Sequence, residues 1–96
     1  MKYFHRTFLA PATILARASA FFGPRLASIE EAPGRRVFAG TIGRIGVTVQ
    51  AEGGHYTLIT MDTDQVAESE ADKLAKRFLT LVHTLADPTH RPIGAY

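Results

Sequence analysis

Apolar and polar positions alternate most regularly between Arg35 and Asp62. In this stretch three runs rich in Val, Ile, Thr and aromatics are separated by glycine-bearing breaks at Gly43-Arg44 and Glu52-Gly53-Gly54. That is the pattern of an antiparallel meander. Ile45, Val47, Val49 and Ala51 share one face of a strand over 45–51, opposite Gly46, Thr48 and Gln50. Over 36–42, Val37, Ala39 and Thr41 oppose Phe38, Gly40 and Ile42. Over 55–61, Tyr56, Leu58 and Thr60 oppose His55, Thr57, Ile59 and Met61. One face of the sheet is therefore aliphatic and must be covered, while the other is small and polar.

The flanking segments change period. Residues 2–9 alternate in part and predict a strand, with Phe4 and Phe8 on one side and His5 and Thr7 on the other. From Pro11 to Phe22 the residues Ile14, Leu15, Ala18, Phe21 and Phe22 fall at helical spacing, with Pro in the first turn and Gly23-Pro24 at the stop. Gly23 is expected at the left-handed C′ position. Residues 26–31 fit either a short edge strand or a continuation of the helix past a kink. The strand is favoured because Ala32-Pro33-Gly34-Arg35 has the chemistry of a type II turn, pairing 26–31 with 36–42. Ala71, Leu74, Ala75, Phe78, Leu81, Val82 and Leu85 follow i, i+3, i+4, i+7 spacing and predict a second helix ending near Ala86-Asp87. Ser69-x-x-Asp72 resembles a capping box at its start. The expected fold is α+β in two layers: an antiparallel meander of four or five strands covered on one face by two helices, in the order β-α-β-β-β-β-α. It forms one domain over 1–87, with an irregular tail over 88–96.

Composition narrows the class. Ninety-six residues make one thin core, and there is no cysteine for a disulfide or a thiolate metal site. That composition suits a soluble protein of a reducing, cytoplasmic compartment. A small unstapled domain often gains stability by self-association, so a homo-oligomer is expected, a dimer first. Lys2, Arg6, the apolar stretch Phe8 to Ala16 and Ala18-Ser19-Ala20 imitate a secretory signal. Pro11 and Arg17 interrupt it, and the segment reads as part of the fold; no membrane span is expected. Charge is uneven: residues 1–46 hold seven basic side chains against two acidic, and residues 47–96 four against seven. With an overall charge of only +2, the two halves are expected to complement each other.

The segment FLAPATILARASAFF resembles the first strand and helix of the START/Bet v 1-like (SRPBCC) superfamily, and SEADKLAKRFLTLV resembles its terminal helix. The resemblance implies a shortened helix-grip fold with an apolar cavity between sheet and helix, used for lipid, steroid or polyketide-like ligands. Helix, three antiparallel strands, helix is also the order of the double-stranded-RNA-binding domain, which opens its last helix with lysines. Glu68, Glu70 and Asp72 stand there instead, and carboxylates repel phosphate, so nucleic acid is not an expected partner.

Candidate chemistry is sparse. His5, His55, His83 and His90 have no metal-site spacing, and Asp62, Asp64 and Glu68 lack the glycine and terminal glutamate of a calcium loop. Gly40, Gly43 and Gly46 precede a strand, whereas a phosphate loop precedes a helix. No metal or cofactor is expected. Phe4, Phe8, Phe21, Phe22, Phe38, Tyr56 and Phe78 are first of all a core. Of these, Phe4, Phe8, Phe22, Phe38, Tyr56 and Phe78 are candidates to line an apolar pocket. Arg35, Arg36 and Arg44, at strand ends, are candidates for an anion or an acidic partner. The leading expectation is a small non-catalytic module that self-associates and binds an apolar small molecule between sheet and helices. A cyclase- or isomerase-like enzyme using His5, His55, Tyr56 or Asp62 is the alternative. A basic scaffold for RNA or an acidic protein is the third reading.

Overall fold

The computed structural model describes residues 1–86; the expected tail over 88–96, with His90, lies outside the described residues. Seven elements follow in the expected order: β1 (Lys2–Thr7), α1 (Pro11–Phe22), β2 (Ala27–Ala32), β3 (Arg35–Gly40), β4 (Gly43–Glu52), β5 (Tyr56–Thr63) and α2 (Glu70–Ala86). The strands form one antiparallel sheet in the order β1-β5-β4-β3-β2. The chain is thus α+β, a meander closed on its last strand by the N-terminal strand. α1 packs over β3 and β4, and α2 over β1, β4 and β5.

Register sorts the side chains. Val47 lies opposite Met61 and Arg36, Val49 opposite Ile59, and Ile45 opposite Phe38. Tyr3 and His5 extend this face through Met61 and Ile59. The helices supply Ile14, Leu15, Ala18, Phe22, Leu74, Ala75, Phe78 and Val82 against it. Phe22 is the hub: its ring centroid lies 5.2 Å from that of Phe38 and 5.2 Å from that of Phe78. Each buried aromatic of this kind contributes about 1.5–3 kcal/mol through apolar burial.

The turns explain where the boundaries moved. β1 stops at Thr7 because the Thr7 Oγ1 accepts the Leu9 N–H at 3.2 Å, and Thr57 Oγ1 donates to the Leu9 carbonyl at 2.8 Å. The chain is thereby turned into α1 two residues earlier than alternation suggested. The β2–β3 hairpin closes on Pro33-Gly34, with Gly34 at φ 73°, the value a type II turn requires of its second central residue. The next hairpin turns at Thr41-Ile42, ahead of the expected Gly43-Arg44 break, so β4 begins at Gly43 and pairs it with Gly40. Gly23 has φ −52° and stays right-handed, contrary to the expected left-handed cap. The helix instead ends through Leu26 N–H donating to the Phe22 carbonyl at 2.8 Å. β2 carries a bulge between Ser28 and Glu30.

Candidate functional site

The face of the sheet away from the helices is where the sequence concentrates its unusual side chains. Register places Phe4, Thr60, Thr48 and Arg35 in one cross-strand row, and Lys2, Asp62, Gly46, Val37 and Glu30 in the next. Arg35 reaches diagonally over Gly46. Its Nη1 donates to Thr48 Oγ1 at 2.6 Å and to Asp62 Oδ2 at 3.0 Å, and its Nε lies 3.6 Å from Glu30. The hydrogen bond to Asp62 raises the Arg35 pKa against the opposing effect of burial. Arg6 of β1 makes the equivalent crossing over β5, with Nε 2.6 Å from Glu52 Oε1 on β4. Beside the Arg35 network, Lys2, Thr48, Thr60 and Thr63 help to line a hollow of about 590 Å³.

At the same face, aromatic side chains stand in solvent. Phe4 is 63% exposed and Tyr56 54%. Phe8, 67% exposed, lines with Tyr56 and His55 a second hollow at the β1–α1 and β4–β5 turns. The six aromatics expected to share a pocket are therefore divided. Phe22, Phe38 and Phe78 are buried in the layer between sheet and helices, while Phe4, Phe8 and Tyr56 are on the surface. The core assignment of those last three is corrected: β1 turns Tyr3, His5 and Thr7 to the helices and leaves Phe4 outside, Phe8 follows the end of β1, and Tyr56 alternates with the buried Thr57, Ile59 and Met61 of β5.

The other candidates also separate. Arg35 and Arg36 are consecutive in a strand and so take opposite faces; Arg36 Nη1 donates to the carbonyls of Ala32 at 2.7 Å and Arg35 at 2.8 Å. Arg44 is exposed, and its backbone N–H donates to Asp64 Oδ1 at 2.8 Å. That bond, with one from Gln65, holds the Asp64 carboxyl below its usual range. His5 lies on the helix-facing side, His55 at an exposed turn, and Tyr56 and Asp62 on the open face. Of these four, His55 and Tyr56 line a common hollow and Asp62 lines another. Among the described residues no three side chains converge as a metal site needs. None of the described helices is long and apolar enough to cross a membrane.

A buried carboxylate escaped sequence reasoning. Asp72, fully buried, accepts hydrogen bonds from Tyr3 Oη at 2.8 Å and Thr63 Oγ1 at 3.0 Å, and from Ser69 Oγ. Its own N–H donates to Ser69 Oγ at 3.1 Å, the expected N-cap bond. Burial pushes the carboxyl up, but the three hydroxyl donors outweigh it and hold it below the usual range. The bond to Asp72 raises the Tyr3 phenol. This cluster joins β1, β5 and α2. Ser69-x-x-Asp72 marked the cap, but nothing in the local pattern signalled that Tyr3 and Thr63 would meet it.

In comparisons with known proteins, no family model and no curated protein matches the chain.

Proposed function

We propose that this chain is a non-catalytic module that pairs with a second copy of itself through the open face of its sheet. The observation that carries the reading is the placement of Phe4 and Tyr56, both more than half exposed, on a face that neither helix covers. Exposed aromatics on one side of a small domain are the composition of an interface core. Charge supports a like partner. The face carries Lys2, Arg6, Arg35 and Arg44 against Glu30, Glu52 and Asp62, four positive against three negative, so two copies meet without strong repulsion. Arg6 and Arg35 already hold carboxylates on their own chain. Edge-to-edge growth is less favoured at β2, where the bulge and the exposed Glu30 and Glu31 interrupt the template. An isologous face-to-face dimer buries the same patch twice.

The layer order also supports the resemblance to the START/Bet v 1-like superfamily as a shortened relative, with the terminal helix lying over the sheet. An apolar ligand between sheet and helices would have to displace Phe22, Phe38 or Phe78 from close contact.

Sedimentation velocity over a range of concentrations tests the proposal. The wild type is expected to run as a dimer, and Phe4→Glu and Tyr56→Glu as monomers with unchanged circular dichroism. Val66→Glu, at an apolar residue 80% exposed in the loop before α2, is expected to leave the dimer intact. A monomeric wild type, or equal disruption by Val66→Glu, sinks the reading.

A further inference from the structure

We infer that the outer groove along α2, beside the end of α1, binds an anionic amphiphile: a single alkyl chain ending in a carboxylate or sulfate. The groove, about 500 Å³, is lined by Phe21, Thr80 and Leu81, by the cations Lys73, Lys76 and Arg77, and by Glu68. Lys73, Arg77 and Leu81 fall on one i, i+4 row of the helix, and Lys76 and Thr80 on the next. Three cations against the single carboxylate of Glu68 leave an excess of positive charge toward the start of α2, with apolar surface toward Leu81. From Lys73 to Leu81 the helix axis advances about 12 Å, the length of a medium alkyl chain. The polarity of the groove matches that of the ligand, head at one end and tail at the other.

The cations differ in how far they are already engaged. Lys73 lies 3.6 Å from Glu70, and Lys76 lies 3.6 Å from Glu68 and 5.1 Å from the centre of the Tyr3 ring. Arg77 has no ion pair among the described residues. Its guanidinium offers a two-pronged donor to an oxyanion, which a neutral head group cannot use in the same way. Arg25 lies against Phe21, with its guanidinium carbon 4.4 Å from the ring centre, and adds positive charge at the edge of the groove. The groove faces away from the open side of the sheet, so this inference stands independently of self-association.

Isothermal titration calorimetry with monomeric decanoate, and with decanol for comparison, tests it. Decanoate is expected to bind one per chain, at least about tenfold tighter than decanol, the separation a charge-assisted contact of this kind supports. Arg77→Gln, at an exposed position, is expected to remove most of that difference, and Leu81→Ser to weaken both ligands. Amide shifts in NMR are expected to centre on Phe21, Arg77 and Leu81. Equal binding of decanoate and decanol, shifts centred elsewhere, or binding to anionic vesicles without binding to monomeric decanoate would overturn the inference.

Discussion

Arg35 and Asp62 meet 3.0 Å apart across a strand to which neither belongs. Arg35 is on β3 and Asp62 on β5, and the strand between them, β4, contributes Gly46 at the crossing point. A Cβ on residue 46 would lie 2.6 Å from Arg35 Nη2 and 2.6 Å from Asp62 Oδ2. Glycine here serves close approach, and the bridge it permits spans three strands of the open face. The pair is partly exposed, so its worth is on the order of 0.5–1 kcal/mol.

Gly46→Ala is therefore expected to cost little overall, because the displaced atoms are the ends of flexible side chains and alanine suits a strand slightly better. Its signature is coupling. Asp62→Asn should destabilise the wild type by about 0.5–1 kcal/mol and the Gly46→Ala background by almost nothing. A double-mutant cycle by urea denaturation measures this. Equal cost in both backgrounds would show that the bridge does not depend on Gly46.

The same residues show what the chain makes legible. Alternation in Ile45, Val47, Val49, Ile59 and Met61 identified the covered face, because period two is a local property of each strand. Helical spacing placed α1 at its observed bounds and α2 within one residue of its observed start. Which face Phe4 takes is not local. It depends on β1 joining the sheet beside β5, a pairing between residues about 55 positions apart in sequence. Likewise Gly46 fits a turn, a bulge or close sheet packing, and only the assembled register shows that it is close packing, with two side chains crossing above it. The arginines looked like a cluster because Arg35 and Arg36 are adjacent in sequence, and adjacency in a strand means opposite faces.

Asp72 contributes to stability in acid. Its folded pKa lies below the ordinary value of 3.8, so the unfolded chain binds more protons between the two values. The stabilisation is complete above the unfolded value and is lost as pH falls through the folded one. Asp72→Asn is expected to lower the thermal midpoint near neutrality and to flatten its dependence on pH below about 4. Tyr3→Phe should show the same flattening more weakly, through loss of one donor. Parallel melting curves of wild type and both variants decide this, and a wild-type slope retained by Asp72→Asn refutes it.

His5 acts at milder pH. Burial lowers its pKa, and the His83 ring, 6.1 Å away between centroids, lowers it further. The unfolded histidine titrates near 6.5, so between that value and the folded pKa the unfolded chain again holds more protons. Stability from this site is present above the unfolded value and lost as pH falls through the folded one. The loss should appear as pH falls below about 6.5, at milder pH than that of Asp72. His5→Gln is expected to remove it. Imidazole resonances followed by NMR should place His5 below an unfolded reference; a His5 that titrates at or above that reference contradicts the assignment.

The two sets of aromatics make opposite predictions. Phe22 touches Phe21, Phe38 and Phe78, at centroid distances of 5.0, 5.2 and 5.2 Å, and has no exposed surface. Phe22→Ala removes a buried ring and leaves a cavity that two packed layers cannot close, at about 3–5 kcal/mol. For a domain whose total stability is about 5–15 kcal/mol, that is enough to leave the variant marginally folded. Phe4→Ala removes an equally large side chain from the open face, where the folded monomer gives it little burial. Its cost to monomer stability should stay within about 0.5 kcal/mol. The measurement is urea denaturation of both variants at a concentration too low for dimers, with midpoints compared at a common slope. Linked dimerisation adds a second readout: at high concentration the wild type should gain stability and Phe4→Ala should not. A Phe4→Ala variant as destabilised as Phe22→Ala at low concentration would place Phe4 in the core of the monomer and remove it from the proposed interface.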